Sequence, residues 1–164
     1  AKRIHAQRPD VRFVVAGENV FGVSKDEVYK QEILQNAKTD PVLAETMTYL
    51  GFWEDAREVV AAANVIVCPS RFESLGMVHL ESMAMGCPVV SMNNGGPAET
   101  VNDAKTGFLV PPEAPDQLAE AVLRVLDNAD LRAQMAQDAR AHVLENFTAA
   151  GYAQQFSEVV DAHL

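Results

Sequence analysis

Two glutamates eight residues apart, Glu73 and Glu81, stand in the segment PSRFESLGMVHLESMAMGCP, residues 69–88. Between them Gly76 opens an amphipathic stretch that runs to residue 85. An apolar run over residues 65–68 leads in, and another over 88–92 leads out, so the segment reads as strand, loop, helix, strand. A loop at the carboxyl end of a parallel strand that feeds a helix N-terminus is where open α/β sheets bind ligands. Glu73 falls in that loop. At 1.5 Å per residue the helix carries Glu81 only about 7 to 8 Å beyond Gly76. Both carboxylates can therefore face one ligand of nucleotide size.

The elements that must hold this loop are legible along the chain. VRFVVAG, residues 11–17, reads as a buried strand ending in Gly17. A polar helix follows over 25–38, with Ser24 as its cap. Pro41 starts a short helix, and MTYLG at 47–51 is a second strand. Residues 54–63 form a short helix with apolar positions at Ala56, Val59, Val60 and Ala63. VIVCP and PVVSM are the third and fourth strands, a helical turn covers 99–102, and GFLVPP at 107–112 is the fifth strand. The tail over 116–164 is helical in two or three pieces, with Asp130 and Thr148 as caps. Strands alternating with helices across short links imply an α/β fold: a doubly wound, Rossmann-like parallel sheet with helices on both faces and a helical C-terminal tail.

At 164 residues the chain is long enough for one domain with a real core, and residues 1–164 read as a single domain. Its net charge of −10 repels phosphate backbones and anionic lipid, which argues against nucleic acid or a membrane surface as partner. A polyanion can still bind through local backbone N–H groups. The two cysteines, Cys68 and Cys87, read as small buried hydrophobes in a reducing, cytoplasmic setting. Residues 1–164 hold no zinc-ligand spacing or membrane-length apolar run and open on no signal peptide, which excludes neither a span nor a signal peptide from a longer parent. The opening AKRIHAQRPD reads as the end of a helix without its beginning, as expected of a fragment of a longer protein.

The motifs RFESLGMVHLESMAMGCPVV, NNGGPAETV and KTGFLVPP, in that order, closely resemble the carboxyl-terminal domain of retaining glycosyltransferases of the GT-B fold, family 4 in particular. That family carries a glutamate pair with seven residues between, then a helix rich in alanine or methionine, a G-x-P-V-V strand, a GG-x-x-E turn and a T-G-F-L-V strand. RPDVRFVVAGEN, GFW and ANVIVCPS match in type and spacing, so the resemblance spans nearly the whole chain.

The resemblance implies a site for a nucleotide-diphosphate sugar. Glu81 would accept hydrogen bonds from the ribose hydroxyls. Glu73 would hold hydroxyls of the donor sugar and is the catalytic candidate. Backbone N–H groups of Gly76, Met77 and Val78 would face the sugar and diphosphate. Gly51 and Phe52 would border the base, and Gly17 and Glu18 would line the mouth of the cleft. Gly95 and Gly96 read as a turn that brings backbone near the ligand, and Glu99 as a helix-start acid or a ligand contact. His79 reads as a packing or surface residue, Arg71 as a solvated charge, and Met77, Met83 and Met85 as core or cleft lining.

Relative to the family, the arginine and lysine that follow the first strand are absent, as is that strand, which stands in the middle of the order 3-2-1-4-5-6. The amino-terminal domain that binds the acceptor is absent too. The implied activity is sugar transfer with retention by an intact parent, of hexosyltransferase type, with the isolated chain inactive. No metal or other cofactor is expected, and any membrane association belongs to the parent. A nucleotide or nucleotide-sugar binding module without catalysis, and a GT-B sugar-nucleotide epimerase, are the alternatives. A Rossmann dehydrogenase lacks its G-x-G-x-x-G, and a serine hydrolase its G-x-S-x-G.

Overall fold

The computed structural model describes residues 1–18 and 24–163, with the backbone alone for residues 24–26. The chain divides into two compact units, Ala1–Val59 and Val60–Leu164.

The first unit runs α1 (Lys2–His5), β1 (Phe13–Ala16), α2 (Ser24–Thr39), α3 (Pro41–Thr46), β2 (Met47–Gly51) and into α4 (Ala56–Ala62). β1 and β2 pair in parallel from Phe13 opposite Met47. Residues 11–17 read in sequence as a buried strand, but β1 alternates between half-buried and exposed positions, with Val14 54% exposed. Among the described residues β1 has a ladder partner on one side only, which leaves its other edge and much of its surface open. α3 begins as expected, with Pro41 in its first turn. Its cap is Asp40, whose carboxylate accepts from the N–H groups of Val42 and Leu43 at 3.0 and 3.2 Å. The side chain of Ser24, read as the cap of α2, lies outside the described residues. α4 is shorter than its apolar spacing predicts because Asp55 holds its start, accepting from Arg57 N at 3.0 Å.

The second unit runs β3 (Ile66–Cys68), α5 (Met77–Ala84), β4 (Val89–Met92), α6 (Pro97–Thr100), β5 (Gly107–Val110), α7 (Pro115–Asp127), α8 (Ala129–Asn146) and α9 (Ala149–Asp161). Its three strands are all parallel in the order β3-β4-β5. β4 is central and buried at every position, so its largely apolar run, interrupted only by the small Ser91, is what a strand covered on both faces requires. α5 packs on α8 over a core of Leu80, Met83, Val89, Val101, Ala139 and Val143. Fully burying side chains of this size stabilises by roughly 1.5–3 kcal/mol each. α7 adds a buried stripe of Ala119, Ala121, Val122, Leu123 and Val125.

The hydrogen-bonded strand orders are β1-β2 in the first unit and β3-β4-β5 in the second. The α/β architecture of parallel strands flanked by helices, with a helical carboxyl-terminal tail, is as the sequence implies. Two details differ. Asn128, and not Asp130, caps α8: its side chain accepts from Leu131 N at 2.9 Å, and Asp130 sits in the first turn. The helical turn read at 99–102 is α6, which starts two residues earlier because Pro97 suits a first helical position. Thr148 caps α9 as expected, accepting from Gly151 N at 3.1 Å.

Candidate functional site

The turn between β3 and α5 is built to leave donors free. Gly76 stands at the N-cap of α5 with φ 85° and ψ 59°, a left-handed conformation that glycine adopts without strain, and no side chain caps the helix. His79 N and Leu80 N turn back to the Gly76 carbonyl at 2.9 and 3.3 Å. Among the described residues, the N–H groups of Met77 and Val78 find no acceptor. These are the orphan donors at the positive end of a helix.

The faces of α5 then sort its side chains. His79, Leu80, Ser82 and Met83 are buried, while Met77, Val78, Glu81 and Met85 are exposed. Glu81 lies four residues on from Met77, one turn along the same open face. Glu73 is half-buried in the preceding loop, and its Oε1 accepts from Ser74 N at 3.1 Å. The second unit thus brings Glu73, Gly76, Met77, Val78 and Glu81 into one loop-and-helix segment at the carboxyl end of β3.

A second loop fixes the first. Gly96 N donates to the Glu73 carbonyl at 2.9 Å, Glu73 N to the Asn94 carbonyl at 3.4 Å, and the Asn94 side-chain amide to the Arg71 carbonyl. The approach is so close that a Cβ on Gly95 would fall 2.3 Å from the Glu73 carbonyl oxygen. One on Gly96 would fall 2.3 Å from the Ser74 carbonyl oxygen and 2.4 Å from Leu75 Cα. The pair Gly95 and Gly96 therefore makes room for the Glu73 loop itself. Glu99 is exposed in the first turn of α6, where an acid suits the helix dipole.

The electrostatics are those of a partly desolvated loop. Burial lowers the pKa of His79 from its ordinary value, and the charge of Glu73 opposes that shift. Burial, aided by Glu73, pushes the Cys68 thiol up to about 12, and burial pushes Cys87 to about 11. Both cysteines are free thiols, and Cys87 Sγ faces the Ala63 carbonyl at 3.7 Å. Arg71 lies 3.8 Å from Glu113 at the surface, a weak exposed pair. Among the described residues no three His, Cys, Asp or Glu side chains converge as a metal-ligand set, and no helix is long and apolar enough to cross a membrane.

In the first unit the remaining candidates also stand at strand carboxyl ends. Gly17 N donates to the Gly51 carbonyl at 2.8 Å, and Tyr49 Oη donates to the Gly17 carbonyl at 2.8 Å. Gly51 has φ 69°, which turns the chain sharply into Phe52. Glu18 is ion-paired with Lys30. Phe52 is 68% exposed, and with Trp53, Glu54, Asp55, Arg57 and Glu58 it lines an open depression of about 760 Å³. Trp53 Nε1 donates to Glu58 at 2.9 Å there. Trp53, Asn94 and the burial of His79 against Gly76 have no sequence signal of their own. Trp53 stands in the GFW segment of the family resemblance, without a role read for its side chain.

Comparison with known proteins gives this geometry a family. The family described as glycosyl transferases group 1 matches residues 1–142. The alpha-D-kanosaminyltransferase of Streptomyces kanamyceticus is 35% identical over 132 residues, 79% of this chain and 32% of that protein. Human alpha-1,3/1,6-mannosyltransferase is 31% identical over 153 residues, 92% of this chain and 36% of that protein. The chain thus spans about a third of the length of the curated relatives it matches. Crystal structures of Anabaena HepE in complex with UDP and with UDP-glucose superpose with TM-scores of 0.87 and 0.86 at 28% identity, each over 97% of this chain and 43% of that one. The crystallised C-terminal domain of a group 1 glycosyl transferase from Francisella tularensis has the same fold, with a TM-score of 0.69 over 91% of this chain and 94% of that one. With its ordered motifs, its parallel α/β architecture and these matches, the chain belongs to the glycosyl transferases group 1 family of GT-B glycosyltransferases.

Proposed function

We propose that this chain is the donor-binding domain of a retaining glycosyltransferase that uses a nucleotide-diphosphate sugar. The observation that carries this reading is the open N-terminus of α5. The unpaired N–H groups of Met77 and Val78 share one exposed face with Glu81, and Glu73 stands in the loop just before them. A diphosphate on those N–H groups meets the positive end of a helix. Glu81 then accepts from the ribose hydroxyls and Glu73 from hydroxyls of the transferred hexose. Gly17, Gly51 and Phe52, at strand carboxyl ends of the first unit, are that unit's own candidates for contact with a nucleotide. The binding of UDP and UDP-glucose by a structural relative at 28% identity supports the ligand class.

In the reaction, the sugar leaves a nucleoside diphosphate and joins an acceptor with its anomeric configuration kept. The work of the α5 N-terminus is electrostatic. Its oriented dipoles need no reorganisation as charge grows on the departing phosphate, the arrangement that commonly supplies the largest catalytic term. No metal is required for that role. A cytoplasmic parent supplies the acceptor domain and the further catalytic groups, and this chain alone does not turn over. Titration calorimetry with UDP, GDP and ADP tests the binding: one of them binds and names the base. Failure of all three with a folded far-UV spectrum contradicts the donor reading. Transfer of a radiolabelled sugar by the isolated chain, above blank, contradicts its inactivity.

A further inference from the structure

His79 is 1% exposed, and neither of its ring nitrogens has a hydrogen-bond partner. Buried polar groups are nearly always paired, so an imidazole with two unpaired nitrogens needs a physical reason. The ring lies directly beneath the first turn of α5: a Cβ on Gly76 would fall 1.9 Å from Nδ1 and 2.6 Å from Cε1. It is therefore the floor of the left-handed turn that aims the free N–H groups of Met77 and Val78 outward.

We propose that His79 is a positioning residue of the diphosphate site, and that it takes up a proton when a diphosphate docks on the N-terminus of α5. The proposal rests on the donor-site reading above and adds a proton linkage to it. In the empty site burial holds the ring neutral, and Glu73 is the charged group that pulls the other way. The elements packed on α5 are α8, α6, β3 and β4. On α8, Arg140 donates to the Ala84 carbonyl at the far end of α5, Asp138 takes the Gln134 amide, and His142 faces Asn102 and Asn146. Glu99 of α6 is exposed, Cys68 of β3 keeps its proton, and β4 carries no charged side chain. A docked diphosphate adds negative charge within a turn of the ring, which favours the imidazolium. The proton comes from solvent onto a ring nitrogen, and no other bond changes. The new positive charge then sits behind the N–H groups that hold the phosphate.

Calorimetry on the full chain with UDP, GDP and ADP at pH 6.5, in two buffers of different ionisation enthalpy, counts protons taken up on binding. The terminal phosphate titrates in the same range, so the deciding quantity is the difference between wild type and His79→Gln. Wild type should take up roughly half a proton more than the variant, and its affinity relative to the variant's should rise from pH 8 to pH 6. Nitrogen-15 spectra of the wild-type imidazoles need no substitution. His79 should be neutral at pH 6.5 without ligand and imidazolium-like when saturated, which decides the matter even if the variant does not fold. Equal proton uptake in a variant that still binds, or a ring that stays neutral at saturation, overturns the proposal. Binding of no nucleotide by the wild type overturns the donor reading instead, and the linkage with it.

Discussion

Replacing Gly96 with alanine isolates the contact between the two loops of the site. Gly96 has φ −56° and ψ −29°, a conformation every residue adopts, so alanine meets no backbone penalty there. What it meets is the backbone of Ser74 and Leu75, at 2.3 and 2.4 Å from the new Cβ. Relief to an ordinary contact of about 3.4 Å requires the 73–76 loop to retreat by about 1 Å. Overpacking of this kind costs roughly 1–3 kcal/mol. At about 2–4 °C per kcal/mol for a chain of this size, the melting temperature falls by roughly 2 to 12 °C. The loss of nucleotide affinity should be the larger effect. The displaced residues lead straight into Gly76, and weakening one hydrogen bond to a charged phosphate costs about 1.5–3 kcal/mol, roughly 10- to 150-fold in affinity. Differential scanning calorimetry and nucleotide titration read the two effects separately. A variant with unchanged melting temperature and unchanged affinity refutes the claim that Gly96 sets the position of the Glu73 loop.

Three further outcomes follow from the same structure. Asn128→Ala removes the cap of α8 and should cost about 1 kcal/mol, while Asp130→Ala should cost a few tenths; urea denaturation midpoints distinguish them. With its thiol pushed up to about 12, Cys68 should resist alkylation by iodoacetamide at pH 8 and gain reactivity only above about pH 10, as followed by mass spectrometry. His79 has its folded pKa below the unfolded value near 6.5, so the unfolded chain binds the extra proton in the interval between them. Stability should therefore be complete above about pH 6.5 and decline as pH falls below it. His79→Leu should flatten that decline in thermal melts from pH 7 to pH 5.

Much of the fold was legible because its second unit buries its strands from both sides. β4 could be read as a strand from PVVSM alone, since a strand with no solvent face carries no charged residue and few polar ones, here the small Ser91. VRFVVAG likewise has the composition of a covered strand, but among the described residues β1 pairs on one side only and is half-buried to exposed. The placement of Glu73 in a loop, Gly76 at a helix start and Glu81 on a helix face was legible because their spacing puts those three in fixed relation. The site's support was not. Gly95 and Gly96 look like any turn, and only their approach to Glu73 and Ser74 reveals what the missing side chains make room for. Likewise His79 is one unremarkable ring in a helical pattern until its nitrogens prove buried and unpaired. The cap of α8 was misassigned because Asn128 and Asp130 are both good caps, and sequence alone does not say which one stands at the boundary.

The central claim is that Glu81 and the α5 N-terminus hold the ribose and diphosphate of one nucleotide. Calorimetry with the nucleoside diphosphate that binds best, and with its 2′,3′-dideoxy analogue, tests it in wild type and Glu81→Ala. Hydrogen bonds to a charged group contribute about 1.5–3 kcal/mol, so the substitution should weaken the intact nucleotide roughly 10- to 150-fold and leave the dideoxy analogue unchanged. Equal affinity of both proteins for the intact nucleotide would contradict the account.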